Sequence, residues 1–248
     1  MKIGIIGAGN IGGTLVRNLR KLDHEVWVAN SRGPETLAQL AKETGARAVT
    51  AREAVKDVDL VIITIPEKGI EQLPQDLLAG VRDSVVVVDT GNYYPDIRDG
   101  RMAELEKAPS ESAWVSQMIG RPVIKAFNTI PAHSLATGGK PPGTGGRIAL
   151  PVSGDDPGSK KQVMKLIDDL GFDPVDAGTL NESWRQQPGT PAYCTNLGSD
   201  ELQKALSSTN RERSQRIRKV AEAGFKNLSP SSPPDAIVTM ARELQKAS

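Results

Sequence analysis

Lys2 to Leu22, KIGIIGAGNIGGTLVRNLRKL, constrains the fold of this chain more than any other stretch. Ile3, Ile5 and Ile6 make a short apolar strand, Gly7-Ala8-Gly9-Asn10-Ile11-Gly12 forms a sharp turn, and Ile11, Leu15, Leu19 and Leu22 recur at helical spacing. Each glycine answers a separate demand. Gly7 permits the tight turn, Gly9 leaves bare backbone for a pyrophosphate, and Gly12 lets the helix pack close to the strand. The unpaired N–H groups of the first helical turn, with the positive end of the helix dipole behind them, then face the phosphates. In isolation such glycines mark only a turn. Placed after a strand and at the start of a helix, they predict an α/β fold of the doubly wound (Rossmann) type with a mainly parallel sheet and a dinucleotide at its edge.

The 248 residues suit one large domain or two unequal ones. Lys plus Arg number 31 and Asp plus Glu 30, so a net charge of +1 gives no general attraction to nucleic acid or to a membrane. The longest apolar runs, Leu60 to Ile65 and Val85 to Val88, are too short to span a bilayer. Met1 leads directly into the first strand without room for a targeting segment, which points to a cytoplasmic protein. The single cysteine, Cys194, allows no internal disulfide and reads as a small buried hydrophobe, with a reactive thiol as the alternative. With only His24 and His133 in the chain, a multi-histidine metal centre is excluded and no metal site is expected.

Glu25 to Ala29 reads as the second strand and delivers the chain to Asn30-Ser31-Arg32. A site selective for NAD would place an acidic side chain here to bind the ribose 2′-hydroxyl, and none is present. Asn30 and Ser31 offer hydrogen bonds instead, and Arg32 offers a planar guanidinium matched to a phosphate, which points to NADP. The alternative is a solvated Arg32 in a turn. A helix from near Pro34 to Gly45, a strand around Ala46 to Val49 and a brief helix follow. Val58 to Ile65 is an almost unbroken apolar run, as expected of a central parallel strand, and its end brings Thr64, Ile65 and Pro66 toward the nicotinamide half of the cofactor.

Residues 67 to 79 are expected to be helical. Ser84 to Asp89 is the next buried strand and opens into Thr90-Gly91-Asn92-Tyr93-Tyr94-Pro95, where Asn92 is the best ligand contact. Tyr93 and Tyr94 either line a ring-binding slot or pack apolar surface. The strand Pro122 to Phe127 ends in Asn128-Thr129-Ile130-Pro131-Ala132-His133, adding Asn128, Ile130 and Ala132 to the candidate cofactor contacts and His133 as a candidate proton donor. Thr137 to Arg147 is a surface loop, with a lid as the weaker reading. Ile148 to Ser153 resumes a strand. Asp156 to Leu170 is a capped helix with Pro157 in its first turn and Gly171 at its exit, and a strand follows near Phe172 to Asp176.

Beyond Gly178 a polar segment with Trp184 precedes two or three helices. One is strongly basic (Arg211, Arg213, Arg216, Arg218, Lys219) and reads as a solvated face. A joint, SPSSPP, then leads to a final amphipathic helix from Asp235 to Ala247, with Ile237, Met240, Ala241 and Leu244 on one stripe. This gives a dinucleotide-binding domain over 1–178 and a helical C-terminal extension over 179–248. The apolar stripe needs a surface to cover, on the core or on a second subunit, and a homodimer is expected.

GAGNIG at 7–12, NSR at 30–32, LVIITIP at 60–66, KAFNTIPA at 125–132 and SGDDPGSKKQVMKLIDDLGFDPVDAG at 153–178 resemble the coenzyme F-420-dependent NADP oxidoreductase family. The resemblance covers roughly the first 180 residues. It implies hydride transfer between NADP and a deazaflavin, with Gly9, Asn10, Ile11, Ser31, Arg32, Ile65, Ile130 and Ala132 around the NADP and the deazaflavin stacked against the nicotinamide. After Gly178 the chain departs from that pattern, so a flavin, a ketone or an imine is open as hydride partner. Ring-to-ring transfer asks little of side chains beyond stacking. A ketone or imine needs a proton, for which His133, Tyr93 and Lys125 are candidates. A non-catalytic NADP-sensing module is the remaining class.

Overall fold

The computed structural model describes residues 1–229 and 232–246. Pro230 and Ser231 of the proline-rich joint, and Ala247 with Ser248 after the last helix, lie outside the described residues. Strands β1 (Lys2–Ile6), β2 (Glu25–Ala29), β3 (Arg47–Ala48), β4 (Leu60–Ile63), β5 (Val86–Asp89) and β6 (Ile124–Lys125) form one sheet in the order β3-β2-β1-β4-β5-β6. Every pairing in it is parallel. The helices between them are α1 (Asn10–Lys21), α2 (Ala38–Thr44), α3 (Ala51–Ala54), α4 (Glu67–Ile70), α5 (Ala103–Lys107) and α6 (Glu111–Ile119). This is the doubly wound arrangement, in which ligands sit beyond the carboxyl ends of the strands. β1 and β4 are central and covered on both faces, so their sequences are apolar at nearly every position. One face packs Ile3, Ile5, Leu15, Leu19 and Phe172, and the other packs Ile6, Val61, Ile63, Trp114 and Val115.

After β6 the chain forms α7 (Ala132–Thr137), β7 (Ala149–Val152), α8 (Pro157–Asp169) and β8 (Asp173–Asp176). β7 and β8 pair in parallel with each other, and an antiparallel bridge between Lys125 and Ser153 joins them to β6. Asp156 caps α8 by accepting from Ser159 N, as its sequence predicts. The remainder is a 3₁₀ stretch, Leu180–Gln186, followed by α9 (Ser199–Ser207), α10 (Arg211–Phe225) and α11 (Ala236–Lys246). Among the described residues no helix is long and apolar enough to cross a membrane.

Two expectations are corrected. The helix expected over 67–79 stops at Ile70 and gives way to turns, because Pro74 lacks an N–H and bars helical geometry in the residue before it. The loop after Thr137 is not a lid. Lys140 N donates to Gly171 O, and the loop lies beside Asn18 and Leu22 at the exit of α1, the end remote from the glycine turn. The last helix rests on its own chain: Arg242 donates to Thr195 O, Gln245 donates to Gly189 O, and Val238 is buried.

Candidate functional site

The glycine turn has the form its spacing predicts. Gly7 adopts φ +108°, a conformation L side chains avoid, and a Cβ there would strike the Thr64 carbonyl and the Ile65 side chain. A Cβ on Gly12 would lie 2.7 Å from Thr64 Cγ2. At Gly9 the same atom meets nothing within 4 Å, so this position is open to solvent. Gly9 is also the N-cap of α1, with no side-chain capping bond, and the first turn carries no acidic residue. Backbone N–H groups at the positive end of a 12-residue helix are thus left for an anion, which fits a pyrophosphate.

A cleft of about 580 Å³ opens from this turn, with Gly9, Asn10, Arg32, Thr36, Ala132 and His133 among its walls. Asn30 is spent on the turn itself: its Oδ1 accepts from Arg32 N at 2.9 Å, and its Nδ2 donates to Thr36 Oγ1 at 2.9 Å. That clamp leaves Ser31 and Arg32 exposed, with Arg32 on the wall of the cleft, and the Arg32 guanidinium has no hydrogen bond or ion pair among the described residues. His133, exposed in the first turn of α7, faces this outer cleft.

Thr64, Ile65 and Pro66 follow β4 half-buried against the glycine turn, and Ile130 is buried beyond β6. Asn92 and Asn128 meet at this edge, but each holds the other. Asn128 Nδ2 donates to Asn92 Oδ1 at 3.0 Å, and Asn92 Nδ2 donates to Asn128 O at 3.1 Å. Gln186 completes the set, donating from Nε2 to Asn128 Oδ1 and accepting on Oε1 from Ser153 Oγ. Tyr93 packs inward. It is buried, with its hydroxyl donating toward Gly100 O and Glu106 and accepting from Met102 N. Tyr94 packs edge-on to Phe225 and hydrogen-bonds Tyr193 through the two hydroxyls.

Behind this edge lies a charge cluster that the sequence reading missed. Lys125, fully buried in β6, donates from Nζ to Asp89 Oδ2 at 2.9 Å and to Gly91 O at 2.6 Å. Asp89 also accepts from Ser112 Oγ at 2.6 Å and from Gly91 N at 2.8 Å. Glu111 accepts from Tyr93 N, and Glu67, 0% exposed, has no hydrogen bond at either carboxyl oxygen. The Glu67 carboxyl occupies the space a side chain at Gly91 would need. Burial, reinforced by the charge of Asp89, pushes Glu67 well above the usual carboxylate range. Burial also lifts Glu111 to about 7 against the pull of Lys125 and Arg218. Burial alone would lower Lys125, but Asp89, Glu67 and Glu111 outweigh it and leave it raised. Three buried carboxyls face one ammonium, so the cluster retains protons.

Residues 2–93 match the family described as NADP oxidoreductase coenzyme F420-dependent. The chain is 35% identical to the hypothetical protein SMa0349 from Sinorhizobium meliloti, whose crystal structure superposes with a TM-score of 0.67 over 79% of this chain and 95% of that one. A protein of Arthrobacter sp. FB24, described as an F420-dependent NADP-reductase, shares the fold at 24% identity and a TM-score of 0.60, covering 74% of this chain and 87% of that one. The YjhV protein of Escherichia coli (strain K12) is 45% identical over 74 residues, 30% of this chain, and the match spans about half (47%) of its own length. The match to the coenzyme F420-dependent NADP oxidoreductase model is confined to the N-terminal part of the chain, which carries the glycine turn. That match supports NADP(H) as the dinucleotide for the cleft.

Proposed function

We propose that the protein is an NADPH-dependent oxidoreductase that passes hydride between NADP(H) and a deazaflavin (coenzyme F-420) or a flavin. The observation that carries this reading is the lining of the strand-end edge. Ile65, Pro66, Ile130 and Pro131 stand there, while the amides of Asn92 and Asn128 are consumed by each other and by Gln186. Such an edge favours contact with a broad flat ring over the gripping of a small charged substrate. NADPH, when bound, supplies the hydride. Gly9 to Ile11 would hold its pyrophosphate, Ser31 and Arg32 its 2′-phosphate, and Ile65 and Ile130 would keep water from the reacting rings.

Two outcomes test the reading. NADPH oxidation is expected to run faster with F-420, FMN or FAD than with any ketone or imine, and His133→Ala, at an exposed position on the outer cleft, should leave that rate nearly unchanged. Turnover of ketones or imines with flavins ignored would favour a second reading, a carbonyl or imine reductase. Its support is the proton-holding Glu67 behind Gly91. For the dinucleotide, Arg32→Ala should weaken NADP binding about ten- to a hundredfold, the worth of one charge-assisted hydrogen bond, and leave NAD binding nearly as it was. Equal losses for the two nucleotides by calorimetry would remove Arg32 from the 2′-phosphate.

A further inference from the structure

The basic helix α10 is more than a solvated face, because it forms one wall of a second cleft of about 550 Å³ that shares no residue with the dinucleotide cleft. Arg101, Arg211, Arg216, Arg218 and Lys219 line it, against the carboxyls of Glu106, Glu111 and Glu212. Some of these cations are already engaged. Arg101 pairs with Glu106 at 3.4 Å, and Arg211 donates to Pro109 O while lying over the Trp184 ring at 4.6 Å. Arg218 sits 5.6 Å over the Tyr93 ring and 3.6 Å from Glu222, and its buried Nε makes no hydrogen bond. Arg216 and Lys219 are exposed and have no ion pair among the described residues. Gln187 Nε2, on the same wall, is buried with no acceptor. The wall therefore carries more positive than negative groups, a buried amide donor without an acceptor, and two exposed cations without an ion pair among the described residues.

We infer that this cleft is a second ligand site, built for a small molecule that carries a phosphate group. Guanidinium forks match phosphate oxygens in geometry and charge, and several cations converging on one concavity match a dianion better than a single carboxylate. Gln187 Nε2 supplies a donor that an anion would satisfy, removing the cost of leaving it buried without a partner. The site is independent of which molecule receives hydride, since it shares no residue with the dinucleotide cleft.

Calorimetric titration of the NADP-saturated protein with inorganic phosphate, pyrophosphate and ribose phosphate tests the inference, because the nucleotide then occupies the other phosphate-binding cleft. Saturable binding of at least one of the three is expected. Tighter binding of ribose phosphate than of the inorganic ions would identify the group as part of a larger molecule, and the reverse would identify a free anion. The double variant R216Q/K219Q, altered only at exposed side chains, should weaken that binding by about tenfold and leave NADP affinity unchanged. Arg32→Ala should show the opposite pattern. Absence of saturable binding by all three probes, or equal binding by the double variant and the parent, overturns the inference.

Discussion

Lys125→Met is expected to lower the free energy of unfolding by about 3–5 kcal/mol, the typical cost of removing one partner from a buried ion pair. Asp89 would be left fully buried with only Ser112 and Gly91 N as donors, and with Glu67 and Glu111 at its back. Most of the loss should return in the double variant Lys125→Met/Asp89→Asn, since the asparagine carbonyl still accepts from Gly91 N and no unpaired charge remains. Urea unfolding followed by tryptophan fluorescence measures both. A loss below about 1 kcal/mol in the single variant would mean that the pair does not hold the strand ends together.

Stability is expected to fall as the pH rises from about 5 to about 8. The folded protein holds a proton on Glu111 up to about 7, against 4.5 for an ordinary glutamate, so it binds that proton more tightly than the unfolded chain does. The contribution is complete below 4.5 and is lost as the pH climbs through 7, a difference of about 3 kcal/mol for this group at most. Glu67 carries the same sign to higher pH. His24 works in the other direction, because burial lowers it from 6.5, but it is a partly exposed surface group. The groups facing Glu111 are Lys125, Arg218 and Asp89, together with Tyr93 N, which a glutamine at position 111 can still receive. Glu111→Gln should therefore flatten the decline between pH 5 and pH 8 in denaturant titrations. An unchanged slope would assign the decline to Glu67 or dismiss the cluster as its source.

What the sequence disclosed follows from how local each signal is. The glycine turn, β2 and α8 are set by residues within a few positions of one another, so spacing and capping fix them. The helix expected after Pro66 fails at Pro74, a signal that was present but outweighed by the apolar residues around it. The charge cluster is a different matter. Glu67, Asp89, Glu111 and Lys125 come from four elements, and nothing local pairs them. A hint existed in Lys125, a charge set inside the apolar strand VIKAF, since a lysine is rarely buried without a partner. The exhaustion of Asn92 and Asn128 on each other could not be read from composition, because an asparagine at a strand end looks the same whether it faces ligand or neighbour.

Gln186 gives the structure a consequence in time. It is made 58 residues after Asn128, yet its amide and carbonyl satisfy the Asn128 side chain, and it also receives the Ser153 hydroxyl. On a translating ribosome the six strands emerge long before this residue. The edge between β5 and β6 must therefore wait, with the Asn128 amide still wet, until the 3₁₀ stretch leaves the exit tunnel and docks. Chains stalled short of Gln186 are expected to hold a formed glycine turn but an unsealed strand edge, so the part of the site nearest α1 matures first and the strand-end part matures last.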